Sequence, residues 1–116
     1  MSRRIEKVNE LIKRELAHII NREIEIPGGA LLTITRVETS RDLAEAKVWI
    51  SIFPIDKAKE VLGSFLRRVG YLQNFLNKRL IMQHVPRIKF LLDTTEEKAA
   101  RIANILDEIE KAEQTY

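Results

Sequence analysis

Ile5, Val8, Ile12, Leu16, Ile19 and Ile20 recur at spacings of three and four among Arg, Lys and Glu, the period of a helix that lays one apolar face on a core. The pattern predicts a first helix over residues 2–23, with Ser2 as its N-cap. Pro27-Gly28-Gly29 breaks the stripe, because Pro lacks a donor and glycine admits positive φ. Neither G-x-x-x-x-G-K nor G-x-G-x-x-G surrounds these glycines, so they predict a turn and not a phosphate cradle. From there the period changes to two. Leu32 and Ile34 alternate with Thr33 and Thr35 in residues 30–38, and Ala46, Val48, Ile50 and Ile52 alternate with Lys47, Trp49, Ser51 and Phe53 in 45–53, predicting two strands. Thr39-Ser40-Arg41-Asp42-Leu43 between them is rich in side chains that bond their own backbone, so an antiparallel hairpin with a loop of about six residues is expected. Trp49 and Phe53 fall opposite the aliphatic row, placed either to stack bases or to bury a second surface.

The helical period returns after Pro54. Ala58, Val61, Leu62, Phe65, Leu66 and Val69 form one stripe with Asp56 as its cap, and Leu72, Phe75, Leu76 and Leu80 resume it beyond Gly70. This predicts two helices meeting at a bend near Val69-Gly70. An interior Gly is about 1 kcal/mol less favourable than Ala, so Gly70 is expected where a Cβ would obstruct the backbone. Pro86 pushes Val85 into extended backbone, and Ile88, Phe90 and Leu92 then alternate as a third strand. Thr94 or Thr95, with Glu96 and Glu97 in the first turn, starts a last helix bearing Ala99, Ile102, Ile105, Leu106 and Ile109, with a frayed tail over 113–116. The order α, β, β, α, bend, α, β, α predicts an α+β two-layer domain, a three-stranded sheet covered by helices. With 116 residues and 45% hydrophobic content, residues 1–116 make one domain.

Charge changes the picture from fold to partner. The net +3 hides an asymmetry: residues 1–92 hold 17 Lys and Arg against 10 Asp and Glu, +7, whereas 93–116 hold 3 against 7, −4. Between residues 61 and 92 there are six cations and no acid. Such a stretch attracts a phosphate backbone without internal competition. The candidate RNA contacts are Arg67, Arg68, Lys78, Arg79, Arg87 and Lys89, with His84 in the loop before Val85 and Arg3, Arg4, Lys7, Lys13 and Arg14 on the first helix.

Other classes recede on the same residues. There is no cysteine, and His18 and His84 lie far apart in sequence, so no metal and no cofactor is expected. The acids mostly alternate with Lys or Arg on outer helix faces; Asp42 and Asp93 are the exceptions, and each sits where an Asx turn or helix cap is the ordinary role. Ser40 and Ser51 lack a nearby base, so an enzyme is not expected. No apolar h-region follows Arg3 and Arg4, and no apolar run approaches the roughly 18 residues of a membrane span. A cytoplasmic monomer without a membrane or small-molecule partner is expected. A protein-interaction module using the acidic C-terminal helix, and a generic KH-like RNA-binding module, are the two alternatives.

The element order α-β-β-α-α-β is also that of the type II KH fold, in which a G-x-x-G loop between the central helices clamps nucleic-acid backbone. Here Arg67-Arg68-Val69-Gly70-Tyr71 occupies that junction, with a single glycine. A KH-like topology with a bent helix pair in place of the loop resembles the bacterial ribosome-binding factor A family. The likeness rests on Leu11-Ile12-Lys13-Arg14-Glu15-Leu16-Ala17, on the run from Thr33-Ile34-Thr35-Arg36-Val37-Glu38-Thr39-Ser40-Arg41-Asp42-Leu43 through Ala44-Glu45-Ala46-Lys47-Val48-Trp49-Ile50-Ser51, and on Val85-Pro86-Arg87-Ile88-Lys89-Phe90-Leu91-Leu92-Asp93. Arg68-Val69-Gly70 stands where the family has an Ala-x-Gly bend, keeping the Gly. Ile81 and Gln83 stand where the family tends to carry arginine, and Arg87 where it often has an acid or Lys. The resemblance implies maturation of the small (30S) ribosomal subunit. The implied mode is binding of free or immature subunits through 16S rRNA near the decoding region and the 5′-end helix, with assistance to rRNA 5′-end processing and departure before translation begins.

Overall fold

The computed structural model describes residues 3–114, without the side chains of 96–103, 113 and 114. The Ser2 cap, the placement of Ala99 and Ile102 side chains and the end of the tail therefore lie outside the described residues. Helix α1 spans Arg3–Glu23 and buries Val8, Ile12, Leu16, Ile19 and Ile20 of the predicted stripe, with Ile5 in its first turn only half-buried. A 3-10 turn over Pro27–Gly29 follows, in which Gly28 and Gly29 both take φ +67°, a backbone region open to glycine without strain.

Strand β1 (Leu31–Thr39) pairs antiparallel with β2 (Glu45–Phe53), and β2 pairs parallel with β3 (Arg87–Leu92), giving the order β1-β2-β3. A bulge between Ile34 and Arg36 leaves Thr35 unpaired. That extra residue reverses the parity of β1, so Ile34 and Val37, three apart, are both buried opposite Ile50 and Val48. Simple alternation did not reveal this. The bulged Thr35 hydroxyl sits 2.7 Å from Asp93 Oδ2, to which it donates, and 3.3 Å from the Trp49 carbonyl oxygen.

Helix α2 (Ala58–Arg67) and helix α3 (Val69–Arg79) cross back over the sheet. Three features of this crossover differ from expectation. Asp56 does not cap α2: a 3-10 turn over Ile55–Lys57 intervenes, and α2 begins after Lys57 with no side-chain cap. Leu66 is exposed, because one stripe on so short a helix is filled by Ala58, Val61 and Phe65. The break lies at Arg68, with φ −107° and ψ 10°, while Gly70 is already inside α3, and a Cβ there would meet nothing within 4 Å. Gly70 is thus not required by crowding.

The core lies between the sheet and one helical layer. Ile12, Leu16, Val48, Ile50, Val61, Leu72 and Leu76 are wholly buried, and the Phe65 and Phe90 rings meet edge-on at 5.5 Å. Gln73 on α3 fastens the outer edge of β3: its Oε1 accepts from the Ile88 N–H at 2.8 Å and its Nε2 donates to the Pro86 carbonyl at 3.1 Å. Beyond β3, Asp93 donates its N–H to the Ile50 carbonyl and accepts from the Thr95 N–H at 2.9 Å, opening helix α4 (Thr95–Gln114). Residues 104–112 of α4 are all exposed.

Three outcomes follow. Ile50→Ala should lower stability by about 2–5 kcal/mol through the cavity it leaves, and Lys47→Ala by far less; equal urea midpoints would place β2 the other way round. Gly70→Ala, with free space and helical backbone, should raise stability by about 0.5–1 kcal/mol in the same assay. The Asp93 carboxyl is held down at about 2, first by the Thr95 side chain, then by the Thr35 hydroxyl and the Thr95 N–H. Because the folded value is depressed, its contribution is complete above the ordinary 3.8 and is lost as pH falls toward 2. Thermal unfolding of Asp93→Asn between pH 5 and 2 should show a shallower decline than the parent chain.

Candidate nucleic-acid interface

The acid-free stretch folds into most of the helical crossover and β3, with Arg67, Arg68, Lys78 and Arg79 exposed on the crossover and Arg87 and Lys89 exposed on the strand. Arg67 ends α2 and Arg68 forms the break, both exposed. Lys78 and Arg79 close α3 about 15 Å further along, at 1.5 Å per residue. Their environments differ. Arg79 Nε donates to Glu15 Oε2 on α1 at 2.6 Å, and Glu15 Oε1 lies 3.9 Å from Arg14 Nε. The bond from Arg79 is the main reason that the Glu15 carboxyl sits below its usual range. Lys78 is exposed and lines a small cleft with Arg22 and Phe75 where α1 meets α3. The four candidate cations of the crossover are thus divided: Arg67, Arg68 and Lys78 face solvent, while Arg79 also ties α3 to α1.

Helix α1 distributes its cations similarly. Arg3, Arg4, Lys7, Lys13 and Arg14 are exposed. Arg4 and Lys7 converge with His84 on one cleft, whereas Arg14 borders another with His18. On the open face of the sheet, Arg87 stands opposite Glu45, and Lys89 stands opposite Lys47, which in turn faces Glu38 on β1. The like-charged pair Lys47 and Lys89 is exposed.

The aromatic residues opposite the core divide as well. The Arg36 guanidinium lies over the Trp49 ring, 4.4 Å from its centroid, a cation–π contact. Trp49 Nε1 is buried with no acceptor among the described residues. Phe53 remains open at 68% exposure, beside Leu31 at the same value. Arg36 escaped the sequence reading because the bulge, invisible in the pattern, sets it across from Trp49.

The acids singled out by sequence have structural partners. Asp42 Oδ1 accepts from the Ser40 hydroxyl at 2.7 Å and from the Ala44 N–H at 3.1 Å, and these bonds lower its pKa, the Ser40 bond most. It closes the β1–β2 turn as an Asx turn, and Asp93 serves α4 in the way described. Among the described residues, no group of three or more His, Cys, Asp or Glu is placed to hold a metal ion. The arrangement offers dispersed cations and apolar clefts, the chemistry of binding a polyanion.

Comparison with known proteins bears directly on that chemistry. The family model described as Ribosome-binding factor A matches residues 4–106. A protein of that name from Desulforamulus reducens is 40% identical over 114 residues, covering 97% of this chain and 95% of that protein. The crystal structure of ribosome-binding factor A from Thermus thermophilus superimposes with a TM-score of 0.65 at 26% identity, covering 76% of this chain and 93% of that one. A homology model of the Thermus factor, fitted into a cryo-EM map of a 30S complex, gives 0.61 at 30% identity over 73% of this chain and 90% of that one. The three-stranded sheet, the helical crossover broken at Arg68 and the match over residues 4–106 lead to one assignment: the chain belongs to the ribosome-binding factor A family.

Proposed function

We propose that this protein binds the small (30S) ribosomal subunit through its 16S rRNA and serves the maturation of that subunit, including the processing of the rRNA 5′ end. The observation that carries the reading is the crossover itself: residues 61–92 hold six cations and no acid, and Arg67, Arg68 and Lys78 are exposed on it. A rigid helical layer presenting positive charge suits a folded phosphate surface, because counterion release on contact rewards each neutralised phosphate. Arg87 and Lys89 extend the charge onto β3, and Arg3, Arg4, Lys7, Lys13, Arg14 and His84 extend it along α1 and its neighbouring loop.

The protein acts by binding and not by catalysis. Its two distinctive carboxylates, Asp42 and Asp93, are committed to a turn and to a helix start. No helix among the described residues is long and apolar enough to cross a membrane, and a partner that matures in the cytoplasm gives the compartment. The body works as one domain and as a monomer. Helix α4, acidic over Asp107, Glu108 and Glu110 and with Ile105, Leu106 and Ile109 exposed, turns away from RNA and toward protein.

The test is electrostatic. Arg67→Gln, Arg68→Gln and Lys78→Gln combined should weaken co-sedimentation with small subunits and flatten its salt dependence, by up to about 0.9 in log–log slope for each lost duplex phosphate contact. Circular dichroism should be unchanged. A folded triple variant with the parent's slope would move the contact off the crossover.

A further inference from the structure

At the other end of α3, away from the break at Arg68, two clefts adjoin at Arg4 and Leu43. The one of about 680 Å³ lies between the first turns of α1, the β1–β2 turn and the segment that follows α3. Its apolar lining comes from three elements: Val8 and Leu11 on α1, Leu43 in the turn, and Ile81 and Met82 after α3. Ile81 is fully exposed, directly after buried Leu80. Arg4, Lys7 and His84 supply the polar rim. Asp42 is the single acid in the lining, and its Oδ1 is bonded inward by Ser40 and Ala44.

Leu43 makes this more than a crevice. Its φ is +60°, the one positive φ outside glycine among the described residues, in a region that leucine rarely enters. The conformation is imposed by its surroundings. The Leu43 N–H donates to the Ser40 carbonyl at 2.9 Å, the Ser40 N–H to the Glu45 carbonyl at 2.8 Å, and the Arg87 N–H to the Ala44 carbonyl at 2.9 Å. Asn or Gly would meet the turn's demand without strain. Leucine meets it while setting an apolar side chain against the core edge and into both clefts. Strain held by so many bonds marks a side chain whose position matters.

We propose that this cleft receives one unpaired nucleotide of RNA, its base lying against Leu43, Ile81 and Met82 with the His84 ring as a stacking face, and its phosphate meeting Lys7 and Arg4. The inference rests on the rRNA-binding reading and adds a second, chemically different contact to it. Bases splayed from single strands are held on apolar and planar side chains, with cations tracking the backbone. A peptide would ask for a free strand edge or a groove for a helix, and at this end a backbone N–H on each outer edge of the sheet is already taken by a side chain. Asn9 Oδ1 accepts from the Thr39 N–H on β1 at 2.8 Å, and Gln73 accepts from the Ile88 N–H on β3.

The labelled full-length chain, titrated with a short unstructured RNA such as hexauridine at low salt, tests the cleft directly. Amide shifts should appear at Lys7, Leu43, Ala44, Met82 and His84. Ile81→Asp, which adds a charge at a position outside the core, should weaken that binding about tenfold, the scale of one lost base contact, with thermal unfolding unchanged. Shifts confined to Arg67, Arg68 and Lys78, or absent altogether, would overturn the proposal. On small subunits, p-benzoylphenylalanine in place of Ile81 should crosslink to rRNA; a crosslink to ribosomal protein would identify a different occupant and overturn it too. If the oligonucleotide enters the cleft but the parent chain fails to co-sediment with subunits, the ribosomal reading falls and the nucleotide site stands. The reverse result leaves subunit binding intact and removes the cleft.

Discussion

Parallel pairing of β2 with β3 is the constraint from which the rest of the architecture follows. Two parallel strands cannot be joined by a tight turn and need a crossover of a dozen residues or more. Between Phe53 and Arg87 that crossover is α2, the break at Arg68, and α3. A crossover must lie on one face of the sheet, and here it shares that face with α1, burying Ala46, Val48, Ile50 and Ile52 of the central strand. Val61, Phe65, Leu72 and Leu76 lock its inner side, which leaves Arg67, Arg68 and Lys78 on the outer side. The position of the positive charge is a consequence of strand direction.

Much of this was legible because burial imposes period. Five of the six predicted positions on α1 are buried, and every aliphatic position of β2 is. The parallel run of β3 beside β2 left no trace, since a two-residue period reports which face is covered and not which neighbour runs alongside, whereas the antiparallel β1–β2 hairpin was legible from its turn residues. The bulge at Thr35 was hidden for a related reason: one extra residue changes parity without changing composition. The helix break misled in the opposite way. Glycine is the residue that draws the eye in a helical stripe, yet the chain turns at Arg68, whose φ and ψ are open to any residue.

The candidate interface was legible as charge and illegible as geometry. That residues 61–92 lack acids is plain from the letters; that Glu15, 64 residues away, reaches Arg79 is a product of α1 lying beside α3. The ion pair is partly exposed, so its worth to stability is small, but it decides which cations remain for a partner. Leu43 is the clearest case of information absent from composition. Its neighbours Ser40 and Asp42 announce a turn, whereas the sign of its φ depends on hydrogen bonds to Glu45 and, through Ala44, to the N–H of Arg87 on β3.

Edge closure connects these features to binding. An exposed strand edge invites pairing with other chains, and this sheet has two. Asn9 of α1 closes part of β1 and Gln73 of α3 closes part of β3, so the two helices that carry or flank the cations are hydrogen-bonded to opposite edges of one sheet. Neither helix can slide relative to the strands without leaving a backbone group unsatisfied, which carries a penalty of about 1–3 kcal/mol when the group is buried. The backbones of α1 and of the crossover, with the cations they carry, are thereby both anchored to one sheet. Helix α4 stands outside that frame. It is joined through Asp93 and Thr35 and is exposed along residues 104–112, so the acidic segment is tied at one end to a rigid basic body whose field its own charge opposes.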